Sequence, residues 1–340
     1  MKTIMSSAGR RSTILEVARL AGASKTSVSR YFGDERERLS PTLQDRIAQA
    51  ASTLDYQPNQ MARGLKGGRS KLIGMLVADI RNPFSVAITH GVEQACRQYG
   101  YSLLVCNTDN DSEQERQHLD LLGAYQVAGL VVNATGSPET QLRAFISHGT
   151  PVVLLDREVS NVDAEVVGLD NPLAIDSALD HLSAQGYQAV LYVSEAPEQS
   201  STRQRRLACF NQRAQQRALS HATLLLTGDT NTRQALSHFL AAHPQHACAV
   251  LCGNGNVTLT ITRLFQQLGL PIGQVGLMGI DELDWCDLVP PGITTLAQPT
   301  DAIGKTALHC LRHRITPQTS PQPTTLSFAP TLIARGSTRR

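Results

Sequence analysis

The chain has 340 residues, with 31 lysines and arginines against 29 aspartates and glutamates, and its formal net charge is +2. Residues 1–70 contain 12 of the basic and 6 of the acidic residues, so this segment carries +6 and the remaining 270 residues carry −4. This asymmetry favours a polyanionic partner for the N-terminal segment, because lysine and arginine bind phosphate backbones.

The apolar runs of the sequence are too short for a membrane protein. None approaches the ~18 to 20 apolar residues of a membrane-spanning helix, and residues 1–12 lack the apolar core of a signal peptide. The 7 cysteines form no C-x-x-C pair, and neither they nor His243 and His246 have the spacing of a common zinc motif. We therefore expect a cytoplasmic protein that needs no membrane, metal or cofactor.

A capping box opens the first predicted helix. The segment from Thr13 to Glu16 reads Thr-Ile-Leu-Glu, in which the threonine hydroxyl accepts from the backbone of Glu16 while the carboxylate reaches back. Gly22 supplies the turn that follows, and Ser24 caps a second helix over 25–32. One face of that second helix carries small hydroxyls and cations, and such a polar, non-acidic surface suits the major groove of DNA.

A third helix is predicted after Ser40 and Pro41, an N-cap followed by proline at the first helical position. It continues to Leu54, and the three short helices share one core, which defines a helical domain over residues 1–57. Residues 58–70 follow as a hinge and linker, and they contain one helix that is too short to be stable alone.

From residue 71 onwards, short apolar strands alternate with amphipathic helices. Such runs are typical of parallel strands that are covered on both faces. The alternation predicts an α/β core of two doubly wound parallel-sheet subdomains, with a ligand cleft at the carboxyl ends of the strands. The predicted strands are 72–77, 102–106, 129–132, 152–155, one near 166, 189–193, 223–226, 249–252 and 275–278. The predicted helices are 85–99, 112–125 and 139–148, followed by helices that begin near 172, 201, 232 and 256.

Polar residues follow several of these strands and are candidates for the lining of the cleft. Asn133 ends one strand, and Asp156 and Arg157 follow the next. Two alternatives stay open. Asn82 and Pro83 form a turn and do not contact the effector, or Asp156 pairs with Arg157 and does not contact the effector.

Five motifs in order connect the N-terminal residues with a known family. They are Thr-Ile-x-x-Val-Ala, Ala-Gly-Ala-Ser, Thr-Ser-Val-Ser-Arg-Tyr, Tyr-x-Pro-Asn and Ala-Arg-Gly-Leu-Lys. Their order resembles the N-terminal domain and hinge of the LacI/GalR family of bacterial transcription regulators, and the resemblance runs through the whole chain. It implies a small all-α helix-turn-helix head and a core like that of periplasmic sugar-binding proteins.

The resemblance also implies how the effector-binding and dimerisation core, 71–340, is divided. The chain would cross between subdomains near Leu169, Gln298 and Phe328. The N-subdomain then comprises about 71–168 and 299–327, and the C-subdomain comprises about 169–298 and 328–340.

By the same resemblance, Lys25 and Thr26 read base edges, Arg30 reads or braces them, and Leu65 wedges into the minor groove beside Lys66. The alternatives are a solvated face for Lys25 and Thr26, and a core position for Leu65. The implied contacts with double-stranded operator DNA come from Thr13, Ser24, Lys25, Thr26, Ser27, Ser29, Arg30, Tyr56, Asn59, Ala62, Arg63, Leu65 and Lys66.

The effector site combines strand ends with positions implied by the resemblance, among which Arg206 and Asp281 match the family residues that grip the effector. Amides, carboxylates and guanidinium groups beside a small aromatic wall suit a polyhydroxylated ligand. The expected effector-binding residues are Arg81, Asn82, Phe84, Ser85, Asn133, Asp156, Arg157, Arg206, Asn254, Asp281 and Gln298.

The charge of the cleft bears on the class of effector. Arg81, Arg157, Arg203 and Arg206 favour a carboxylate or phosphate, because guanidinium binds such groups bidentately. The head and the first cleft segment also most resemble repressors of ketogluconate utilisation. We therefore expect a sugar acid such as 2-ketogluconate, with a neutral hexose or pentose as the alternative.

The resemblance implies a repressor of a carbohydrate catabolic operon that binds a palindromic operator and is released by its effector, although a corepressor remains an alternative. Residues 334–340 contain no leucine heptad, so we expect a homodimer. We expect it in the cytoplasm, associated with the nucleoid. A solute-binding protein without DNA function would not need the basic head. No phosphate loop or nucleophile motif supports an enzyme.

Overall fold

A computed structural model describes residues 12–33, 35–57, 70–198, 200–226, 229–316 and 322–340. The chain divides into two compact units, residues 1–70 and residues 71–340. Within the described ranges, no helix combines the length and the apolar character required to span a membrane.

The first unit is built from short helices around a small apolar core. Its helices are α1 (Ile14–Leu20), α2 (Lys25–Tyr31) and α3 (Pro41–Thr53). The predicted capping box is confirmed, since the Thr13 side chain and the Glu16 side chain satisfy each other's backbone groups. Each helix contributes one fully buried side chain to the core, namely Val17, Val28 and Ile47. Helices this short depend on such shared packing, because their intrinsic stability in water is marginal.

The second unit consists of strands and helices that alternate along the chain. Its strands are β1 (Leu72–Val77), β2 (Ser102–Asn107), β3 (Gly129–Val132), β4 (Val152–Leu155), β5 (Glu165–Leu169), β6 (Ala189–Ser194), β7 (Ser220–Leu225), β8 (Cys248–Cys252), β9 (Gly276–Ile280), β10 (Thr294–Ala297), β11 (Thr325–Phe328) and β12 (Thr331–Ile333). Its helices are α4 (Pro83–Gln98), α5 (Ser112–Ala124), α6 (Glu139–Ser147), α7 (Asn171–Ala184), α8 (Ser201–Gln216), α9 (Asp229–Ala242), α10 (Gly255–Leu268) and α11 (Thr300–Ile315).

These strands form two sheets, which confirms the predicted fold class. The described strands of the N-subdomain follow the order β11-β5-β4-β3-β1-β2, and those of the C-subdomain follow the order β12-β10-β9-β8-β6-β7. Neighbouring strands are parallel apart from β12, which pairs antiparallel with β10. Apolar clusters cover both faces of each sheet, which explains the near-continuous apolar runs of the central strands.

The chain passes between the two sheets three times within the described residues. It leaves the first sheet after Leu169, returns after Ala297, and passes to the second sheet again between Phe328 and Thr331. After the second passage, α11 packs against α4. The carboxyl ends of strands from both sheets therefore lie on either side of one cleft, where parallel α/β folds bind ligands.

Strand β7 begins earlier than its apolar run predicts. It starts at Ser220, and its residues alternate between half-buried and exposed. The strand lies at the edge of its sheet, so only one of its faces packs against the core. For this reason the apolar run at 223–226 marks only the last part of the strand.

The last residues of the chain are fastened to the C-subdomain sheet. Arg335 forms a bidentate ion pair with Glu282, with distances of 2.6 Å from Nη2 to Oε1 and 3.0 Å from Nη1 to Oε2. Ser337 is fully buried and donates to the carbonyl oxygen of Leu277 at 2.5 Å. Burial opposes the ionisation of Glu282, yet its hydrogen bonds from Arg335 and Thr295 outweigh this and hold its pKa below the ordinary value.

We expect Glu282→Gln to lower the free energy of unfolding by about 1 kcal/mol at neutral pH. A carboxylate whose pKa is lowered by folding stabilises the protein above its unfolded pKa of ~4.3, and the contribution is lost as the pH falls through the folded pKa. The free energies of unfolding of parent and variant, measured with urea, should therefore differ at neutral pH and become equal in acid. Glu139→Gln, which loses a more exposed pair with Arg143 at 3.4 Å, is the control. A difference in free energy of unfolding between parent and Glu282→Gln that does not change with pH would contradict the stabilising role of the Glu282 carboxylate.

Candidate functional site

Arg46 fixes the angle between the first two helices of the head. Its Nε and Nη2 donate to the carbonyl oxygen of Ala21 at 3.0 and 2.5 Å, and Nη2 also donates to the carbonyl oxygen of Gly22 at 2.7 Å. Gly22 has a φ of +58°, in the left-handed region that favours glycine. The turn and its arginine together present α2 in one orientation.

The predicted DNA-reading residues lie on the solvent side of α2. Ser24 caps the helix by accepting from the backbone of Ser27 at 3.0 Å, and Lys25 and Thr26 are exposed. Val28 points the other way and is buried in the core. This division leaves a face of hydroxyls and cations open to a partner.

The remaining head residues fall into different surroundings. Thr13 is exposed and donates through its hydroxyl to Glu16 at 2.9 Å. Tyr56 packs its ring at 5.5 Å from that of Phe32, so it also belongs to the core. Ser29 is half-buried, and Arg30 is exposed. The hinge residues named from the sequence, Asn59, Ala62, Arg63, Leu65 and Lys66, lie outside the described residues.

A cavity of about 590 Å³, open to solvent, lies in the cleft between the two subdomains. Residues from both subdomains line it. Among the residues expected from the sequence, the lining includes Asn82, Phe84, Ser85, Asn133, Asp156, Arg157, Arg206, Asn254, Asp281 and Gln298.

Arg81 is the expected residue that does not line the cavity. Its side chain is 74% exposed. Asp79 holds it through Nε at 3.0 Å, and Asp109 lies 3.6 Å from its Nη2. The hydrogen bond and charge of Asp79, together with the charge of Asp109, raise the pKa of Arg81. Arg81 therefore pairs with neighbouring carboxylates in this structure, and its contact with an effector stays a prediction.

Asp156 and Arg157 are adjacent in sequence, yet they form no ion pair in the described part of the chain. Oδ2 of Asp156 accepts from the hydroxyl of Thr202 at 3.0 Å, and its buried Oδ1 has no hydrogen-bond partner there. Arg157 donates from Nη1 to the carbonyl oxygen of Ala134 at 2.7 Å. Burial lowers the pKa of Arg157, although the charges of Asp156 and Glu115 act in the opposite direction. Both side chains therefore keep unused polar atoms beside the cavity.

The backbone at Asp156 and Asp281 is unusual in the same way. Asp156 has a φ of +62° and Asp281 a φ of +83°, which only a few per cent of non-glycine residues adopt. Each aspartate directly follows a central strand, one in each subdomain. Aspartate adopts this region more readily than most residues, and backbone of this kind clusters at functional sites as well as in turns.

Arg206 and Asp281 form the buried side of the cavity in the C-subdomain. Arg206 is 4% exposed, and its Nε and Nη1 donate to Asn171 Oδ1 at 2.7 Å and to the Gly253 carbonyl oxygen at 2.8 Å. Asp281 accepts from the backbone of Gly255 at 2.9 Å and from Gln298 Nε2 at 2.6 Å. Burial raises the pKa of Asp281, and the charge of Arg206 and these hydrogen bonds oppose the rise.

Gln298 is oriented by that contact with Asp281. Its amide nitrogen is used, while its buried Oε1 has no hydrogen-bond partner in the described residues. Asn82 likewise serves two purposes. Its Oδ1 accepts from the backbone of Phe84 at 3.1 Å and caps α4, while the residue also lines the cavity. Asn82 therefore makes the turn and lines the cavity, and its contact with an effector stays a prediction.

The lining also includes residues that were not named from the sequence. Glu195 accepts from Arg203 Nη2 at 2.5 Å and from Asn254 Nδ2 at 2.7 Å, so the charge of Arg203 is compensated within the protein. Glu195 directly follows strand β6, so the strand-end rule that identified Asn133 would also have found it. The further lining residues are Ala78, Asp79, Asn110, Ser200, Thr202 and Asn256.

The N-terminus of α8 connects the two sides of the cleft. The Ser201 hydroxyl accepts from the backbone of Glu158 at 2.8 Å, and the Thr202 hydroxyl donates to the backbone carbonyl of Asp156 at 2.8 Å. An ion pair of 2.8 Å joins Arg205 and Glu158. Thr202 also donates to the carboxylate of Asp156, so the carboxylate that lines the cavity is itself part of the contact between subdomains.

A helix-turn-helix head joined to a two-subdomain core with a polar cleft defines a ligand-responsive DNA-binding regulator. Residues 13–59 match bacterial regulatory proteins of the lacI family. Residues 70–327 match the periplasmic binding proteins and sugar-binding domain of the LacI family. The chain belongs to the LacI family, and it is a DNA-binding transcriptional repressor rather than an enzyme.

Individual relatives agree with this assignment. The transcriptional regulator PtxS of Pseudomonas aeruginosa is 48% identical over 329 residues, which are 96% of each chain. The transcriptional regulator KdgR of Bacillus subtilis is 40% identical over 89% of this chain and 91% of its own. The lac repressor dimer bound to operator and the anti-inducer ONPF shares the fold, with a TM-score of 0.81 and 22% identity over 97% of this chain and 100% of that one.

Proposed function

We propose that this repressor binds a palindromic operator of a carbohydrate catabolic operon as a homodimer and that a small sugar acid such as 2-ketogluconate releases it. The proposal on DNA rests on the exposed residues of α2 and on the positions expected from the family resemblance. Operator binding takes place in the cytoplasm. DNA and effector disfavour each other reciprocally, because one linked equilibrium connects the two sites.

The unpaired guanidinium of Arg157 is the observation that carries the sugar-acid proposal. Arg203 pairs with Glu195, and Arg206 is buried with its Nε and Nη1 already donating to Asn171 and to the Gly253 carbonyl oxygen. Arg157 has one hydrogen bond, to a backbone carbonyl, and no carboxylate within ion-pair distance in the described residues. A half-buried arginine in this state favours a ligand carboxylate, which can accept two parallel hydrogen bonds from it.

Two acceptors on side chains that line the same cavity support a polyhydroxylated body for the ligand. Oδ1 of Asp156 and Oε1 of Gln298 are buried without a partner in the described chain. An unsatisfied buried acceptor costs about 1 to 3 kcal/mol, which a ligand hydroxyl would recover. A carboxylate at one end and hydroxyl groups along the chain are the features that a sugar acid combines.

A neutral sugar is the second candidate, and the balance of charges in the lining favours it. The carboxylates of Asp79, Asp156, Glu195 and Asp281 outnumber the lining arginines, and carboxylates accept well from sugar hydroxyls. The two candidates differ at Arg157, which a neutral sugar would leave without a charged partner.

Release of operator DNA tests the proposed function. We expect 2-ketogluconate to lower the affinity of the protein for an operator, identified by selection from random DNA, at least tenfold. Fluorescence anisotropy of the labelled operator, repeated with glucose as the neutral control, measures the effect. Release by glucose alone would favour the neutral-sugar candidate, and tighter operator binding with the keto acid would identify a corepressor.

A further inference from the structure

Glu35 lies between two arginines, four residues after the end of the helix α2. Its Oε2 accepts from Nε of Arg30 at 3.1 Å, and its Oε1 lies 2.6 Å from Nη1 of Arg38. The side chains of Arg30 and Glu35 are 46% and 45% exposed. Arg38 lies in a short 3-10 turn that begins at Arg36. One carboxylate therefore links an arginine of α2 with an arginine of the following turn.

The turn that carries this cluster is held in place by contacts of its own. Arg36 lies 4.5 Å above the ring of Tyr31 and donates to Gln44 at 3.0 Å. The side chain of Gln44 donates to the backbone of Arg36 at 3.1 Å and to that of Leu39 at 2.9 Å. Glu35, one residue before the turn, is thus presented to Arg30 from an anchored segment.

The atom that Glu35 binds on Arg30 decides what remains available. The contact uses Nε, and Nη1 and Nη2 have no hydrogen-bond partner in the described residues. A guanine offers O6 and N7 to two arginine donors at once, which is the commonest specific contact in the major groove. An exposed arginine otherwise loses ~2 kcal/mol of side-chain entropy when it is fixed. A carboxylate that holds the Nε edge reduces that loss.

We propose that Glu35 is a positioning residue for sequence recognition, which orients Arg30 for a base pair of the operator and weakens binding to other DNA. The inference rests on the proposed operator contact of Arg30. On DNA of any sequence the carboxylate of Glu35 repels nearby phosphates. On the operator, the oriented guanidinium compensates for that repulsion, so the discrimination between the two kinds of DNA rises.

Three variants separate orientation from charge. Glu35→Ala removes both the charge and the acceptor, whereas Glu35→Gln removes the charge but still accepts from Nε. Glu37→Ala removes the same charge from an exposed neighbour that makes no ion pair within the described residues. The affinities of each variant for operator and for unrelated DNA of equal length are measured by anisotropy over a series of salt concentrations. Thermal unfolding of each variant checks that the head is intact.

We expect Glu35→Ala to lower the ratio of operator affinity to unrelated-DNA affinity about tenfold. Glu35→Gln should retain that ratio within about threefold, and Glu37→Ala should raise both affinities by the same factor. Equal ratios in Glu35→Ala and Glu37→Ala would overturn the proposal. An equal reduction of the affinity ratio in Glu35→Ala and Glu35→Gln would also overturn it, since the loss of charge alone would then explain the effect.

Arg30→Ala in the same assay separates this inference from its premise. A lowered ratio in Arg30→Ala together with an unchanged ratio in Glu35→Ala would overturn the role of Glu35 and leave the contact of Arg30 standing. An unchanged ratio in Arg30→Ala would overturn the proposed operator contact of Arg30 and the inference with it.

Discussion

Replacing Arg157 with glutamine is expected to lower the affinity for 2-ketogluconate about 100-fold, a loss of about 2.7 kcal/mol. Hydrogen bonds that involve a charged group contribute about 1.5 to 3 kcal/mol each, and glutamine can replace neither the charge nor the paired donors. The protein itself should be little affected, because Arg157 donates only one hydrogen bond within the described chain. Isothermal titration calorimetry measures the ligand affinity, and urea unfolding checks the stability.

Arg81→Gln is the matched control for this variant. Arg81 belongs to the segment that lines the cleft, yet its side chain pairs with Asp79 and does not line the cavity. The affinity of Arg81→Gln for the keto acid should stay within about threefold of that of the parent protein. An Arg157→Gln variant that binds as tightly as the parent would remove the main support for an acidic effector. A large loss of keto-acid affinity in Arg81→Gln would mean that binding depends on the overall positive charge near the cleft rather than on Arg157.

Arg206→Ala is expected to destabilise the core by about 3 kcal/mol. Its guanidinium is almost fully buried, holds Asn171 and the Gly253 carbonyl, and compensates the buried carboxylate of Asp281. Removing it leaves these groups unsatisfied whether or not an effector is bound. Urea unfolding without effector should therefore separate this variant from Arg157→Gln, which we expect to act on ligand binding alone.

A double variant tests whether the uncompensated charge of Asp281 destabilises Arg206→Ala, and Arg205→Ala is the control. Asp281→Asn combined with Arg206→Ala should recover part of the lost stability, because no uncompensated carboxylate remains. Asparagine also tolerates the positive φ of +83° at this position. Arg205→Ala, on the same helix, loses an exposed ion pair with Glu158 and should cost less than about 1 kcal/mol. A destabilisation in Arg205→Ala as large as in Arg206→Ala would contradict the special role of the buried arginine.

Local sequence rules predicted many elements of the fold because each rule rests on a physical requirement of the backbone, but they did not identify β10, β11, β12 or α11. The capping box at Thr13 and Glu16 fixed the start of α1, and apolar runs identified the central strands β1, β3 and β4 with their observed bounds. The edge strand β7 was only partly recognised, because an edge strand exposes one face and interrupts its apolar run. Periodicity is therefore most informative where a strand is buried on both sides.

The side chains of the cleft were harder to predict, since their direction depends on contacts that the sequence does not display. Arg81 follows β1 just before Asn82, yet it pairs with Asp79 and does not line the cavity. Arg203 pairs with Glu195, whereas Arg157 and Arg206 have no carboxylate at ion-pair distance in the described part of the chain. No sequence rule distinguished these guanidinium groups. Position at a strand end selects candidates, and three-dimensional charge pairing decides between them.

The measurement that tests the central claim most directly is isothermal titration calorimetry of the purified protein against 2-ketogluconate, gluconate and glucose, with Arg157→Gln in parallel. We predict that the keto acid binds at least tenfold more tightly than glucose and that Arg157→Gln loses this preference. Tight binding of glucose with no measurable binding of either acid, unchanged in Arg157→Gln, would contradict the assignment of an acidic effector to this cleft.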